Sequence, residues 1–409
     1  MEQAIDHTST VVLNAEDVRK GMYVSYLDRP WLDTTFPFKG FEIKTDKELK
    51  QLRATCEYVF INAERGSQPD GYERFVEAST KRNRTSQPGV TRLAEWDVST
   101  TTEDEFRQAN SAVAAFRNAV IAAFGAATRQ EALDIDGLRE AAKPLRRSVE
   151  RCPDAALFAI RMTDSGDYLY RHAVACAVMG LIMGRALGLP GDSPEHLAVG
   201  CALLDIGKTR VPAELLNSPN TIARSSGEMV QLRRHVKHSV ELVSGCPISQ
   251  KTLLPMIAAH HERHKGHGYP EGLQGEDIPL SGRIAGIVDF YDAMISQRAY
   301  GRRATPNEAM RYIRQQRGRD FCPLLTDQFL QVFRLYPTGA LVELSDGTVG
   351  RVIQQNPKGL LTPRVHLILD HNKQRLHEFT TVDLSPIMAA SDSLCISECL
   401  KPGAYSIEC

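Results

Sequence analysis

His260-His261-Glu262-Arg263-His264-Lys265-Gly266-His267-Gly268-Tyr269-Pro270-Glu271-Gly272-Leu273 sets two adjacent histidines ahead of a Gly-Tyr-Pro turn. Leu254, Met256 and Ile257 place a helix just before it, so His260 and His261 stand where that helix ends. Imidazole is the commonest metal-binding side chain, and carboxylates join it where hard or borderline cations are held. Working outward, eight of the twelve histidines fall between 172 and 267: His172, His196, His235, His238, His260, His261, His264 and His267. A single histidine in such a stretch is ordinarily a core or surface residue. A cluster beside acidic residues on helices and turns points instead to a cation.

The acidic partners lie in apolar surroundings. His172 opens the helical run Ala173 to Leu187. Asp205 follows Cys201-Ala202-Leu203-Leu204 and precedes Ile206-Gly207-Lys208. Asp289 and Asp292 share one face of a helix through Ile284 to Ile295. An ionised aspartate beside apolar neighbours is costly unless a cation or a donor compensates it. A metal does so most economically for Asp205 and Asp289, and a buried ion pair is the alternative.

The order His172, Leu204-Asp205-Ile206-Gly207-Lys208, His235, His260-His261-Glu262, Gly268-Tyr269-Pro270 and Asp289 resembles the HD-GYP branch of the HD phosphohydrolases. So does Arg283-Ile284 through Asp289-Phe290-Tyr291-Asp292-Ala293 to Arg298-Ala299-Tyr300. The likeness covers roughly 150 to 335. The front end, with Gly21-Met22-Tyr23-Val24, Asp28-Arg29-Pro30-Trp31 and Phe36 to Phe41, is similar to a domain often found ahead of HD-GYP. The resemblance implies a bacterial signalling enzyme that opens cyclic di-GMP to linear pGpG, GMP or both. It implies His172, Asp205, His235, His260, His261 and Asp289 as metal ligands, with Asp205 the bridge. Two divalent ions, iron or manganese, would lower the pKa of water and neutralise charge on phosphate oxygens. Lys208, catalytic together with Asp205, would contact the scissile phosphate and Arg298 would hold a phosphate. Gly268, Tyr269 and Pro270 would shape the guanine side of the pocket. His238 rivals His235 one turn on, while His264 and His267 read as surface residues.

Four positions depart from the family pattern. Leu204 stands where the family has the histidine of its name, and a leucine binds no metal. Lys265 replaces a usual aspartate and is expected to put a cation near the centre. Tyr168 replaces the glutamate of three-metal members, which favours two ions. Gly301 replaces a basic residue, for which Arg302 or Arg303 could substitute. The alternative these changes raise is a degenerate domain that binds cyclic di-GMP or partner proteins without turnover. A phosphohydrolase for another nucleotide is a third reading, against which the Gly268-Tyr269-Pro270 block argues.

The rest of the chain sets the frame. A 409-residue chain with 42% hydrophobic and 24% charged residues is that of an ordinary soluble protein. Its net charge of -1 argues against broad nucleic-acid binding. Nine scattered cysteines without CxxC spacing read as reduced cytoplasmic thiols. No signal peptide is visible, and the most apolar run, Ala173 to Gly184, is too short to span a bilayer.

The fold expected is mainly α: a helical HD-type metal-dependent phosphohydrolase core, a small mixed α/β N-terminal domain and a small β C-terminal module. The division is 1–80, a linker and connecting helix over 81–140, the HD-GYP domain over 141–335, and 336–409. Strands are expected at Thr10 to Leu13, Met22 to Val24 and Tyr58 to Ile61, with a short helix from Thr45 to Leu52. A polar linker should run from Thr80 to Thr91. A long helix should start at a Thr102 cap paired with Glu105. Its stripe of Phe106, Val113, Phe116, Val120 and Phe124 either packs on a neighbouring element or forms a homodimer seam. Near the C-terminus, Leu341 to Leu344, an Asp346-Gly347 turn and Thr348 to Ile353 read as a hairpin, with a further strand at Val365 to Leu369.

Overall fold

The computed structural model describes residues 10–27, 36, 41–56, 58–62, 66–67, 98–162, 167–191, 193–216, 226–245, 253–296, 304–356, 359–385, 394–401 and 403–407. The expected linker and Arg298, Gly301, Arg302 and Arg303 lie outside them. The described part is mainly helical, and it divides into two compact units: 1–92 with 343–346 and 390–398, and the remainder.

In the first unit, strands Thr10–Asn14, Tyr23–Leu27, Phe41–Glu42 and Tyr58–Asn62 form an antiparallel sheet with Tyr58–Asn62 between the first two. The helix Asp46–Thr55 is closed at its start by a reciprocal capping box between Thr45 and Glu48. Val18, Val24, Leu27, Ile43, Leu52, Val59 and Ile61 are buried between helix and sheet. Arg53 reaches back to the Glu16 and Val18 carbonyls at 2.9 and 3.0 Å, fastening that helix to the chain after the first strand.

The second unit carries the long helices Thr102–Thr128, Ile135–Arg151, Pro153–Met162, Tyr168–Ala186 and Leu280–Ile295. The cap of the first is Thr101, not Thr102: the Thr101 hydroxyl accepts from the Asp104 N–H at 3.2 Å. Thr102 is buried, with its hydroxyl 3.6 Å from the Cys152 sulfur. Glu105 does not cap either. It is buried, takes the Ser148 hydroxyl at 2.8 Å and pairs with Arg151 at 2.7 Å, tying this helix to the next. Among the described residues, Thr102–Thr128 is also the helix long and apolar enough to cross a membrane. Its Val113, Phe116, Val120 and Phe124 are buried within the unit, and Phe106 meets the Phe158 ring at 5.5 Å. The stripe is therefore spent on packing inside the chain.

Strands Leu341–Leu344 and Val349–Asn356 flank Gly347, whose φ of +84° suits the tight turn between them. Val349–Asn356, Gly359–Leu369 and Arg375–Asp383 form an antiparallel meander. Buried Asp154, on Pro153–Met162, accepts the Thr338 hydroxyl and the Gln355 N–H at 3.0 Å, fastening that meander to the helices.

Candidate metal centre

Five segments of the helical unit deliver the side chains. His172 lies in Tyr168–Ala186, and Asp205 follows Ser193–Leu203. His235 begins His235–Ser244, His260 and His261 follow Leu254–Ala259, and Asp289 and Asp292 lie in Leu280–Ile295. Gly207 sets the approach of the Asp205 turn to the His235 helix. A Cβ there would stand 2.1 Å from the His235 carbonyl oxygen and 2.4 Å from the Ser239 nitrogen. The Ser239 hydroxyl closes the joint, accepting from Gly207 N–H and donating to the Leu204 carbonyl, both at 2.8 Å.

Asp205 faces two groups of donors. Its Oδ1 lies 3.3 Å from His235 Nε2, and its Oδ2 lies 3.6 Å from His172 Nε2. On the first side, the ligating atoms of Asp205, His235, His260 and His261 lie within 4.8 Å of one another. His235 and His260 each place Nδ1 2.7 Å from a backbone carbonyl, of Leu232 and Ile257. A neutral ring that donates there leaves Nε2 a bare acceptor aimed away from its own backbone. Asp205 Oδ1, His235 Nε2 and His260 Nε2 are buried and take no hydrogen bond. Gathering such acceptors without donors is expensive, and one shared cation satisfies all three. The residues fit a metal.

Electrostatics agree. Burial draws His260 down to about 4 and lowers His235 and His261, which keeps these rings neutral as ligands must be. Burial opposes ionisation of Asp205, but the Lys208 ammonium outweighs it and holds the carboxyl below its usual range. Lys208 forms its ion pair directly with Asp205 Oδ2.

On the second side, His172 Nδ1 lies 2.7 Å from Asp292 Oδ2, which also accepts the Ser296 hydroxyl at 2.9 Å. With Nδ1–H committed to Asp292, Nε2 is turned to Asp289 Oδ1 at 3.0 Å. Two acceptors facing one nitrogen call for a proton or a cation between them. Burial lowers the His172 pKa, yet the surrounding Cys176, Tyr168, Asp289 and Asp292 carry it well above its ordinary value. The Tyr168 ring stacks on His172 at 5.4 Å. Nothing in the chain pattern alone separated Asp292, which orients His172, from Asp289, which faces Nε2.

The loop after His261 is held by Glu262. This buried carboxylate accepts the N–H groups of Glu271, Gly272 and Leu273 at 2.7, 3.2 and 3.0 Å. The Tyr269 N–H bonds the His261 carbonyl at 3.2 Å, and its ring stacks on the His261 ring at 4.6 Å. Gly268 allows this return, since a Cβ would meet the Arg263 nitrogen at 2.4 Å. The Tyr269–Pro270 peptide is cis. Lys265, expected to put a cation near the centre, is exposed, and its N–H pairs with the Arg319 carbonyl at 3.0 Å. His267 pairs with Asp320 at 2.9 Å and His238 stands 3.5 Å from Glu241, so neither joins the group. His196 and His264 lie outside it as well.

Two family profiles match the chain: an HD domain over residues 162–323, and a domain of unknown function (DUF3391) over 11–138. A cyclic di-GMP phosphodiesterase of Pseudomonas aeruginosa is 31% identical over 351 residues, covering 85% of this chain and 82% of the relative. The chain belongs to the HD-GYP family. A cyclic di-GMP phosphodiesterase response regulator of Xanthomonas campestris is 35% identical, over 42% of this chain and 45% of its own length. A 3'3'-cGAMP-specific phosphodiesterase of Vibrio cholerae is 31% identical, over 47% of this chain and 35% of its own. The chain thus spans less than half of these last two. HD-GYP membership fits the centre described above, and the departure at Leu204 is confined to one buried position beside Asp205.

Proposed function

We propose that the protein hydrolyses cyclic di-GMP to linear pGpG, GMP or both, as a metal-dependent phosphodiesterase of bacterial second-messenger signalling in the cytoplasm. One observation carries the reading: Asp205 stands between two buried donor groups, 3.3 Å from His235 Nε2 and 3.6 Å from His172 Nε2. The names of the relatives supply the substrate.

His235, His260 and His261 with Asp205 are assigned to one cation, and His172, Asp289 and Asp205 to the other. Iron or manganese is the proposed metal. When bound, such cations supply an activated water and neutralise charge on the phosphate. The chain's own groups do the rest. Asp292 holds the His172 ring in register, and Glu262 and Tyr269 fix the loop proposed to shape the guanine side, with Gly268 and Pro270. Lys208 is assigned to the scissile phosphate, since its ammonium, now paired with Asp205, would be free for a substrate anion if that carboxylate held a cation. Arg298, outside the described residues, is proposed to hold a phosphate. The four-part division at 80, 140 and 335 is kept as a working proposal. A partner-binding role without turnover is the weaker reading, because these buried acceptors gather at one point.

The test is anaerobic purification, metal counting, and incubation with cyclic di-GMP under iron and under manganese, with 3'3'-cGAMP alongside. Linear pGpG or GMP from cyclic di-GMP supports the proposal. A metal-loaded protein that leaves cyclic di-GMP intact rejects it.

A further inference from the structure

Asp292 holds His172 with one oxygen and leaves the other, Oδ1, buried and without a hydrogen bond. A buried carboxylate oxygen with no donor is costly. Arg161, near the end of Pro153–Met162, answers it: a guanidinium nitrogen stands 3.6 Å from Asp292 Oδ1. Among the described residues, this is the arginine or lysine group within ion-pair reach of Asp292. The arm that carries the guanidinium is held from the C-terminal part of the chain. Gly339, with a φ of +91°, packs so closely on it that a Cβ there would stand 2.5 Å from Arg161 Cγ. Thr338, the residue before, donates its hydroxyl to Asp154. Asp154 and Arg161 lie two turns apart on one face of their helix, so a single short turn of chain pins that face at both ends. The Gly339 N–H bonds the Val352 carbonyl at 2.8 Å, which joins this turn to the C-terminal strands.

An arginine beside a buried aspartate is ordinarily a structural ion pair, often close to neutral for stability. This pair differs because the same carboxylate takes the Nδ1–H of His172, whose Nε2 then faces Asp289. We infer that Arg161 is a positioning residue of the metal centre. Its guanidinium holds Asp292 in register behind His172, and the Thr338–Gly339 turn holds Arg161. Close approaches of named atoms link each step from Gly339 to Arg161, Asp292 and His172. The C-terminal strands thereby support the His172 side of the centre. This role rests on the metal-centre reading but not on the substrate.

Titration of the full-length, metal-free chain with manganese(II) alone tests it, with free ion followed by electron paramagnetic resonance. Arg161→Met keeps the stem that packs on Gly339 and removes the charge. It is expected to weaken one of two bound ions by about tenfold, the low end for groups behind a ligand, and to leave the other unchanged. A general loosening of the fold would weaken both. Arg161→Lys restores a cation and should recover most of the loss. In an Asp292→Asn background, Arg161→Met should cost nothing further, the non-additivity of two residues acting through one contact. Gly339→Ala leaves every charge in place and crowds the arm, so it should weaken the same ion even where Arg161→Met does not fold. Unaltered affinity, equal weakening of both ions, no recovery with lysine, or additive losses at 161 and 292 overturn the role. A wild-type chain that takes up no manganese overturns both the role and the metal-centre reading. The expected pattern in a protein that leaves cyclic di-GMP intact upholds Arg161 and rejects the substrate.

Discussion

Asp292 takes the Nδ1–H of His172 at 2.7 Å, and so decides which nitrogen of that ring faces the centre. A carboxylate behind a ligating imidazole fixes the tautomer and raises its basicity, and its loss costs about 10–100-fold in metal affinity or activity. Asp292→Asn should therefore weaken metal retention by that factor with helical content unchanged. Metal titration followed by circular dichroism measures both, and unaltered affinity would contradict the role.

Asp205→Asn should do more. It removes the one carboxylate shared by both donor groups, and leaves Lys208 without the partner it has now. The expected loss of cyclic di-GMP hydrolysis exceeds the roughly 100-fold upper range for an outer partner. Loss of both ions, rather than one, in the metal count distinguishes a bridge from a ligand of one side.

Gly207→Ala probes the joint beneath the site. The added methyl would lie 2.1 Å from the His235 carbonyl oxygen, so the helix beginning at His235 has to move. Overpacking of this kind costs about 1–3 kcal/mol. The urea midpoint should fall accordingly and metal affinity with it. An undisturbed midpoint would mean that the joint yields freely.

Glu262→Gln separates the loop from the cations. A carboxylate that accepts three backbone N–H groups is replaced by an amide that presents one acceptor oxygen and a donor group. Bonds to a charged group contribute about 1.5–3 kcal/mol each, so the loop should loosen. The KM for cyclic di-GMP is expected to rise several-fold more than kcat falls, with metal content retained. A fall confined to kcat would assign Glu262 elsewhere.

Acid should destabilise the metal-free protein. Burial brings His260 down to about 4 and lowers His235 and His261. An unfolded histidine titrates near ~6.5, so below that pH the unfolded chain binds protons that the fold refuses. Their contribution is complete above about 6.5 and is lost as pH falls through the folded values. His172 runs the other way, its raised pKa giving stability that is full below ~6.5 and lost at higher pH. Three depressed rings against one raised ring predict a urea midpoint that drops between pH 6.5 and 4.5. A midpoint that rises on acidification would reverse the sign.

Much of this was legible in the chain. Apolar spacing placed the helices around His172 and Asp289, and motif order placed the histidines at their ends. The pattern could not show that Thr101 rather than Thr102 caps the long helix. Both are threonines with an acidic residue three positions on, and packing against Cys152 decides between them. Nor could it show that Lys265 is exposed, since its backbone partners, Arg319 and Gln274, are brought to it by the fold. Glu262 and Asp292 stand in the quoted motifs, but their roles were not legible there for a related reason. Their partners are backbone groups and a ring brought close by folding, and sequence spacing does not encode those contacts.

Because Glu262 directly follows His260 and His261 in the chain and grips the amides of 271–273, two tasks share one short length of backbone. On the assignments proposed above, a shift in the loop given the guanine side would pass to the imidazoles given a cation, and the reverse would hold too. Selectivity among cyclic dinucleotides is thus hard to retune inside this stretch without disturbing the ions. Variation that spares them has to come from chain segments not anchored to that carboxylate.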